Sequence, residues 1–156
     1  MRRRFVIRLT AALRSPLHIS GPGERLPLVD RCVQVDHKGL PIIPASTLRG
    51  RARAYLERLL RSRGHPVCTP PRPELTCPHN REVASALGEG RFCLACRVFG
   101  SSWRPSTVYF SDLKPHPSDL IPNPWTRTGI GISRYTGAVR EERLFSLQLV
   151  PPFSIR

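Results

Sequence analysis

Four cysteines cluster in a proline-rich part of the chain, at Cys68, Cys77, Cys93 and Cys96. The last two form a C-x2-C motif, whose tight turn lets two thiolates point at one ion. Structural zinc takes four nitrogen or sulfur ligands in a tetrahedron. A loop so poor in apolar residues needs the binding energy of a metal to fold. The cluster therefore predicts a structural zinc site made by these four cysteines.

Two histidines leave the ligand set open. His79 lies two residues after Cys77, and His65 lies shortly before Cys68, so either histidine can replace a cysteine ligand. Four free cysteines are the simpler alternative. A catalytic zinc is disfavoured, because all four ligand positions are taken and no Glu lies on a helix beside them. The fifth cysteine, Cys32, stands alone in a predicted strand and is interpreted as a core residue.

Arginine carries most of a large positive charge. Lys and Arg number 25 against 11 Asp and Glu, a net charge of +14, and only Lys38 and Lys114 are lysines. Guanidinium groups bind phosphate bidentately and stack on bases, so the composition predicts a polyanionic partner, above all a nucleic acid. A genome that replaces Lys by Arg would explain the preference for arginine but not the net charge.

The apolar segments are too short for a membrane protein. No apolar run approaches the roughly 18 residues that a membrane helix needs, and no basic amphipathic helix suits a membrane surface. Residues 1–8 briefly resemble a secretory signal, but Arg8 and Arg14 interrupt any apolar core. We therefore expect a cytoplasmic protein without membrane contact. In a reducing compartment the cysteine cluster indicates metal rather than disulfides.

The chain of 156 residues fits one domain, and its 40% hydrophobic residues suffice for a modest core. Periodicity and turn residues predict strands over 4–13, 29–36 and 106–114, a helix over 44–63, and a hairpin over 126–150 with Thr136-Gly137 near its tip. Proline and glycine predict a loop over 15–28. Segment 65–97, which holds the cysteine cluster, is expected to have little regular structure.

Five short motifs follow one another along the chain: Leu17-His18-Ile19-Ser20-Gly21, Pro41-Ile42-Ile43-Pro44-Ala45-Ser46-Thr47-Leu48-Arg49-Gly50, Val98-Phe99-Gly100, Val108-Tyr109-Phe110-Ser111-Asp112 and Ile132-Ser133-Arg134-Tyr135-Thr136-Gly137. In these motifs and their order, the sequence resembles the RAMP superfamily of CRISPR RNA-binding proteins. It most resembles the backbone subunit of type III effector complexes. Ala45 and Arg49 depart from the family signature Ile-Pro-Gly-Ser-Ser-Leu-Lys-Gly. A cysteine-bearing insertion before the Phe-Gly motif is similar to type III-D backbone subunits and to the fused type III-E effectors.

The resemblance implies an α+β fold with a ferredoxin-like (RRM-like) core, formed by a single RNA-binding domain over residues 1–156. A zinc-binding insertion over 64–97 interrupts this domain, and the hairpin over 126–150 is its β-hairpin thumb. A ferredoxin-like fold needs two βαβ halves, and no second helix or late Gly-rich loop follows the hairpin. We therefore expect the C-terminal half to be lacking, because the chain is a fragment or because a partner completes the sheet.

The resemblance also implies a function. Such subunits assemble along guide RNA (crRNA), with other CRISPR effector subunits or copies of themselves, and the thumb lies between guide and target RNA. Active members cut the target RNA with a divalent metal such as Mg²⁺ or Mn²⁺. By position, Asp30 corresponds to the catalytic aspartate. The RNA-binding residues are Ser46, Arg49 and Arg53 on the guide backbone and Arg127 and Arg134 in or beside the thumb, while His18 can contact phosphate.

Several alternatives stay open. Asp30 can help to deprotonate a ribose 2′-OH or hold the metal that does so, giving a 2′,3′-cyclic phosphate. Taken alone, an aspartate at this position is more simply a turn or cap residue. The same fold can be a catalytically inactive scaffold that binds crRNA, or the chain can be an unrelated zinc-stabilised RNA-binding protein. Trp103 and Trp125 can stack on bases or pack in a core or an interface.

Overall fold

The computed structural model describes residues 4–21, 27–116, 121 and 123–155. The chain forms two compact units. The central unit spans Ala45–Ser111, and the flanking unit combines Met1–Pro44 with Asp112–Arg156. Three α-helices and two small antiparallel sheets make up the described part of the chain, which confirms the α+β class. The ferredoxin-like topology and the lacking C-terminal half stay predictions.

The central unit is built on helix α1, Ala45–Ser62, which confirms the helix predicted over 44–63. Leu56 and Leu60 lie one turn apart on its inner face and pack into the core of this unit. The helix ends in a Schellman motif. There, His65 donates its backbone N–H to the carbonyl of Leu60, and Gly64, with a φ of 74°, donates to that of Arg61.

Two short helices follow in the cysteine-rich segment, where little regular structure was expected. Helix α2, Arg81–Leu87, begins at the buried Asn80, whose side chain accepts the N–H of Val83 at 2.9 Å. The same side chain donates to the carbonyl of Leu75, so one amide caps α2 and fixes the preceding 3-10 turn. Helix α3, Leu94–Phe99, begins directly after Cys93. The prediction was wrong here because it neglected this capping.

The flanking unit carries a long hairpin, as predicted over 126–150. Strand β2, Trp125–Ile132, pairs antiparallel with strand β3, Val139–Leu149. The turn between them is closed by two backbone bonds, from Ser133 to the carbonyl of Ala138 and from Gly137 to that of Ser133. Most of the hairpin is exposed, and Leu149 at the end of β3 is buried. The hairpin is therefore fixed to its unit at its base.

The other predicted strands form only in fragments. Strand β1, Ala11–Ala12, pairs with strand β4, Ser154–Ile155, and is all that forms of the strand predicted over 4–13. Segment 29–36 makes single bridges to three different partners instead of one ladder. Segment 106–114 makes one bridge, and its Ser and Thr hydroxyls bond to nearby carbonyls instead. The predicted loop over 15–28 holds no helix or strand in its described part, and its residues 22–26 lie outside the described residues.

Buried apolar side chains give the flanking unit its own core, made by Cys32, Val33, Ile43, Leu113, Leu149, Val150 and Ile155. The prediction that Cys32 is a core residue is thereby confirmed. Among the helices that the structure describes, none is long and apolar enough to cross a membrane.

Candidate metal centre and RNA-binding residues

The four clustered cysteines meet in the central unit. The Sγ atoms of Cys68, Cys77, Cys93 and Cys96 all lie within 4.8 Å of one another, and all four side chains are buried. The Sγ of Cys68 is 3.3 Å from that of Cys96 and 3.7 Å from that of Cys93. Tetrahedral zinc with bonds of about 2.3 Å separates its sulfur ligands by about 3.8 Å. The donor set therefore fits a zinc ion.

Three different parts of the central unit position the four cysteines. Cys68 follows the end of α1, and Cys77 precedes the capping residue Asn80 of α2. Cys93 and Cys96 lie at the start of α3, where a spacing of three residues puts both side chains on one side of the helix. Apolar side chains enclose the sulfurs, namely Leu60, Val67, Val83 and Ala95. The site is thus closed, as structural zinc sites are.

The sulfurs influence one another electrostatically. Burial raises the pKa of the Cys77 thiol to about 12, although the backbone N–H of Cys93 donates to its Sγ at 3.4 Å. Contact with Cys68 lowers the pKa of Cys93 and raises that of Cys96. Several thiolates cannot coexist there without a positive charge, and a divalent cation supplies that charge. All four cysteines are free of disulfides, so every sulfur is available as a ligand.

Arg53 on α1 reaches the cysteine cluster, a contact that the sequence interpretation missed. Its Nη2 donates to the Sγ of Cys96 at 3.7 Å, its Nη1 to the carbonyl of Gly100 at 3.0 Å, and its Nε to Glu57 at 2.8 Å. A positive charge beside a thiolate offsets its negative charge and orients the ligand. The pairing of Arg53 with Glu57 four residues later was readable from the sequence. The contact with Cys96 was not, since 43 residues separate the two.

The two candidate histidine ligands lie elsewhere. The ring of His79 packs edge-to-face on Trp103, with centroids 4.7 Å apart, and is exposed. His65 is exposed as well and belongs to the turn that ends α1. The group of potential ligands that the structure brings together in the described residues consists of the four cysteines.

Asp30, the predicted catalytic residue, lies in the flanking unit and is exposed. Its Oδ2 accepts the backbone N–H of Ser146 at 2.6 Å and the hydroxyl of Ser146 at 3.2 Å. Its own backbone N–H donates to the carbonyl of Ser146 at 3.1 Å. The hydroxyl of Ser146 also donates to Leu28, so the loop is bound to β3 on both sides of Asp30. The carboxylate thus has a structural role in addition to any chemistry.

The predicted RNA-binding residues divide between the two units. In the central unit, Ser46 and Arg49 are exposed on the first turns of α1, and one Nη of Arg49 donates to the carbonyl of Phe99. In the flanking unit, His18 donates from Nδ1 to the carbonyl of Gln148 at 2.7 Å, while two of the predicted arginines are exposed on the hairpin. These are Arg127 on β2 and Arg134 at the turn.

Fold and site together define a strongly basic α+β protein with a buried tetracysteine centre. The family model of the RAMP superfamily matches residues 10–154. The chain therefore belongs to the RAMP superfamily, whose members are components of CRISPR RNA–protein complexes. A comparison with curated proteins gives no match.

Proposed function

We propose that this chain is the guide-RNA-binding backbone subunit of a type III CRISPR complex that targets RNA. The match to the RAMP superfamily over residues 10–154 carries the proposal. The net charge of +14 supports RNA as the partner. A cysteine cluster directly before Val98-Phe99-Gly100 favours a relative of the type III-D and III-E proteins. Other effector subunits or copies of the chain complete the complex.

The RNA that co-purifies with the protein tests this proposal. Sequencing should show repeat-derived guide RNA as the dominant species. The logarithm of the association constant for a guide RNA should fall linearly with the logarithm of the salt concentration, because each neutralised phosphate releases counterions. A mixture of ribosomal fragments without guide RNA would overturn the proposal and favour an unrelated zinc-stabilised RNA-binding protein.

Within this function, the guide backbone is held by exposed side chains that differ in kind. Arg49, Arg127 and Arg134 supply guanidinium groups, while Ser46 on the first turn of α1 supplies a hydroxyl. Arg53 and His18 donate within the protein and so can bind phosphate only with their remaining donors. Replacing Arg127 by Ala should weaken guide binding and lower the salt slope by about 1. Arg81→Ala on the exposed side of α2 is the matched control.

The four cysteines are proposed to hold one structural zinc ion. The closed, buried sulfur cluster supports this assignment, because catalytic zinc keeps a position open for water or substrate. The metal then supplies folding free energy to a segment that has few apolar residues of its own. The ion has no part in RNA cleavage.

We further propose that Asp30 serves target cleavage. Its exposed carboxylate can accept the proton of a ribose 2′-OH or hold Mg²⁺ or Mn²⁺. The 2′-oxygen then attacks the adjacent phosphorus, the 5′-oxygen leaves, and a 2′,3′-cyclic phosphate remains. The bonds to Ser146 support this role by fixing the carboxylate in place. An inactive scaffold is the competing function.

Asp30→Asn separates the two roles of this side chain. The amide keeps an oxygen that accepts from Ser146, but it loses the negative charge. Cleavage in the assembled complex should be lost in Asp30→Asn while guide binding and stability stay as in the wild type. Cleavage that persists in this variant at a fixed register would overturn the catalytic role and favour the scaffold.

A further inference from the structure

A cleft of about 670 Å³ lies within the central unit, and the function proposed above uses only Arg49 and Arg53 of its lining residues. Its walls come from three segments of different character. Arg49 and Arg53 of α1 form one wall, prolines at 70, 71 and 73 form another, and the turn over 100–106 forms the third. Proline rings and a tight turn hold their shape, so a ligand would lose little free energy to ordering the walls.

Trp103 is the largest side chain in this cleft and remains 49% exposed. It is presented by a tight turn in which Ser101 and Arg104 exchange both backbone hydrogen bonds, at 2.8 and 3.2 Å. The hydroxyl of Ser101 accepts the backbone N–H of Trp103 at 3.3 Å, and the ring of His79 packs edge-to-face on the indole. The indole is therefore held in one place with half of its surface open to the solvent.

Cationic and aromatic groups share the cleft with Trp103. Tyr109 lines it and is 81% exposed. Arg49 uses one donor on Phe99, out of the five that a guanidinium carries. Among the buried side-chain polar atoms that the structure describes, the Nε of Arg104 lacks a hydrogen-bond partner. Because this Nε is itself shielded from solvent, a ligand in the cleft would bind Arg104 through the Nη atoms of its guanidinium.

We propose that this cleft binds one nucleotide of single-stranded RNA, with the base stacked on Trp103 and the phosphate held by Arg49 and Arg104. Every base has a π-face, so a fixed indole beside cations binds nucleotides of any sequence. Tyr109 supplies a second ring for the same or the next base. The inference rests on the proposed function in one respect, since it needs RNA as the ligand.

The test compares two RNAs on the full-length, zinc-loaded protein. One is oligouridylate, and the other is an abasic oligomer of equal length with the same ribose-phosphate backbone. Trp103→Ala should weaken oligouridylate binding about tenfold, the loss expected for one stacked base, and leave the abasic oligomer unaffected. The salt slope should not change, because no charge is removed. Trp103→Phe should keep most of the affinity.

A matched pair of tyrosines controls for general effects of surface aromatics. Tyr109→Ala should weaken oligouridylate binding, whereas Tyr55→Ala should not, because Tyr55 is 65% exposed on α1 without lining the cleft. Equal zinc content and circular dichroism establish that each variant is folded. If Trp103→Ala does not fold, fluorescence of Trp125→Phe reports on Trp103 alone. Quenching by oligouridylate and not by the abasic oligomer is then expected.

Two results would overturn the inference while the proposed function stands. One is that wild-type protein binds oligouridylate and Trp103→Ala binds it equally well. The other is that Trp103→Ala loses affinity for both oligomers alike, which would indicate a role without base stacking. In the fluorescence experiment on Trp125→Phe, Trp103 emission that oligouridylate does not quench would likewise overturn the inference. A wild-type protein that binds neither oligomer although guide RNA co-purifies with it would refute the inference alone, whereas the absence of co-purifying guide RNA would refute the proposed function.

Discussion

The carboxylate of Asp30 and the backbone of Ser146 form a reciprocal pair, in which each residue donates an N–H to an oxygen of the other. The pair joins the loop around Asp30 to strand β3. The hydroxyl of Ser146 strengthens the junction by sharing its one proton between the carbonyl of Leu28 and the carboxylate of Asp30.

Removing this hydroxyl tests the structural role of the pair. Ser146→Ala should lower the free energy of unfolding by about 1 kcal/mol, the usual value for a hydrogen bond, while the N–H bond to Asp30 remains. The midpoint of urea unfolding measures the change. Ser62→Ala removes a hydroxyl that bonds only within α1, and it should shift the midpoint less. Equal shifts in the two variants would contradict the anchoring role.

Elemental analysis should find about one zinc ion per chain. Cys68→Ser and Cys77→Ser should lose it, because each removes a buried sulfur of the cluster. Cys32→Ala should retain it, since that thiol belongs to the other unit. His65→Ala and His79→Ala should retain it as well. Loss of zinc in either histidine variant would show that the ligand set is not the four cysteines alone.

Arg53→Lys should weaken zinc binding about tenfold, as loss of a group that orients a ligand does. Lysine keeps the positive charge but cannot reach Cys96, Gly100 and Glu57 together. Competition with a chromophoric chelator measures the affinity. Arg58→Lys is the control, because Arg58 is exposed on α1 and donates to its own helix. An affinity unchanged in Arg53→Lys would refute the contribution of Arg53.

The hairpin offers a double-mutant test. A Cβ added to Gly129 would lie 2.5 Å from the ring of Phe145, its cross-strand partner. Gly129→Ala should therefore lower the free energy of unfolding. The loss should be only about 1 kcal/mol, because the half-exposed ring can shift away from the strand. In a protein that already carries Phe145→Ala, Gly129→Ala should leave the free energy of unfolding unchanged. Urea unfolding of the four proteins measures the coupling, and strictly additive effects would contradict the contact.

Gly100 and Gly64 both have positive φ, of 83° and 74°, but differ in the space around them. A Cβ on Gly100 would lie 2.8 Å from the backbone N of Ser106, whereas a Cβ on Gly64 meets nothing. Gly64→Ala should cost about 1 kcal/mol for the left-handed backbone, and Gly100→Ala about 2 kcal/mol or more. Thermal unfolding measures both. Equal losses would mean that the turn after α3 yields to the added methyl group.

Local signals allowed the best sequence predictions. Helix α1 follows from leucines at helical spacing and from Gly64 after its end, and the hairpin follows from alternation around Thr136-Gly137. The grouping of the four cysteines follows from residue type, since cysteines so close in sequence have few uses other than a shared metal site. In each case the residues that decide the outcome lie within one segment.

Contacts between distant segments could not be predicted. Val33 bridges Ser20 while Val35 bridges Pro41, so an alternating sequence did not yield one strand. The resemblance predicts that Arg53 binds RNA, whereas its contacts with Cys96 and Gly100 were missed because these residues follow it by more than 40 positions. The cap at Asn80 was also missed, although it is a local feature. Asn followed by Arg81-Glu82-Val83 is a pattern from which the start of a helix can be predicted.

Helix α3 has only six residues, and a helix so short does not persist alone in water. Because Cys93 caps this helix and Cys96 lies within it, the formation of α3 and the binding of the proposed zinc ion would be one equilibrium. By mass action, each tenfold rise in free zinc above the dissociation constant adds about 1.4 kcal/mol to the folding of the central unit. The amount of functional protein in a cell would then follow the metal supply.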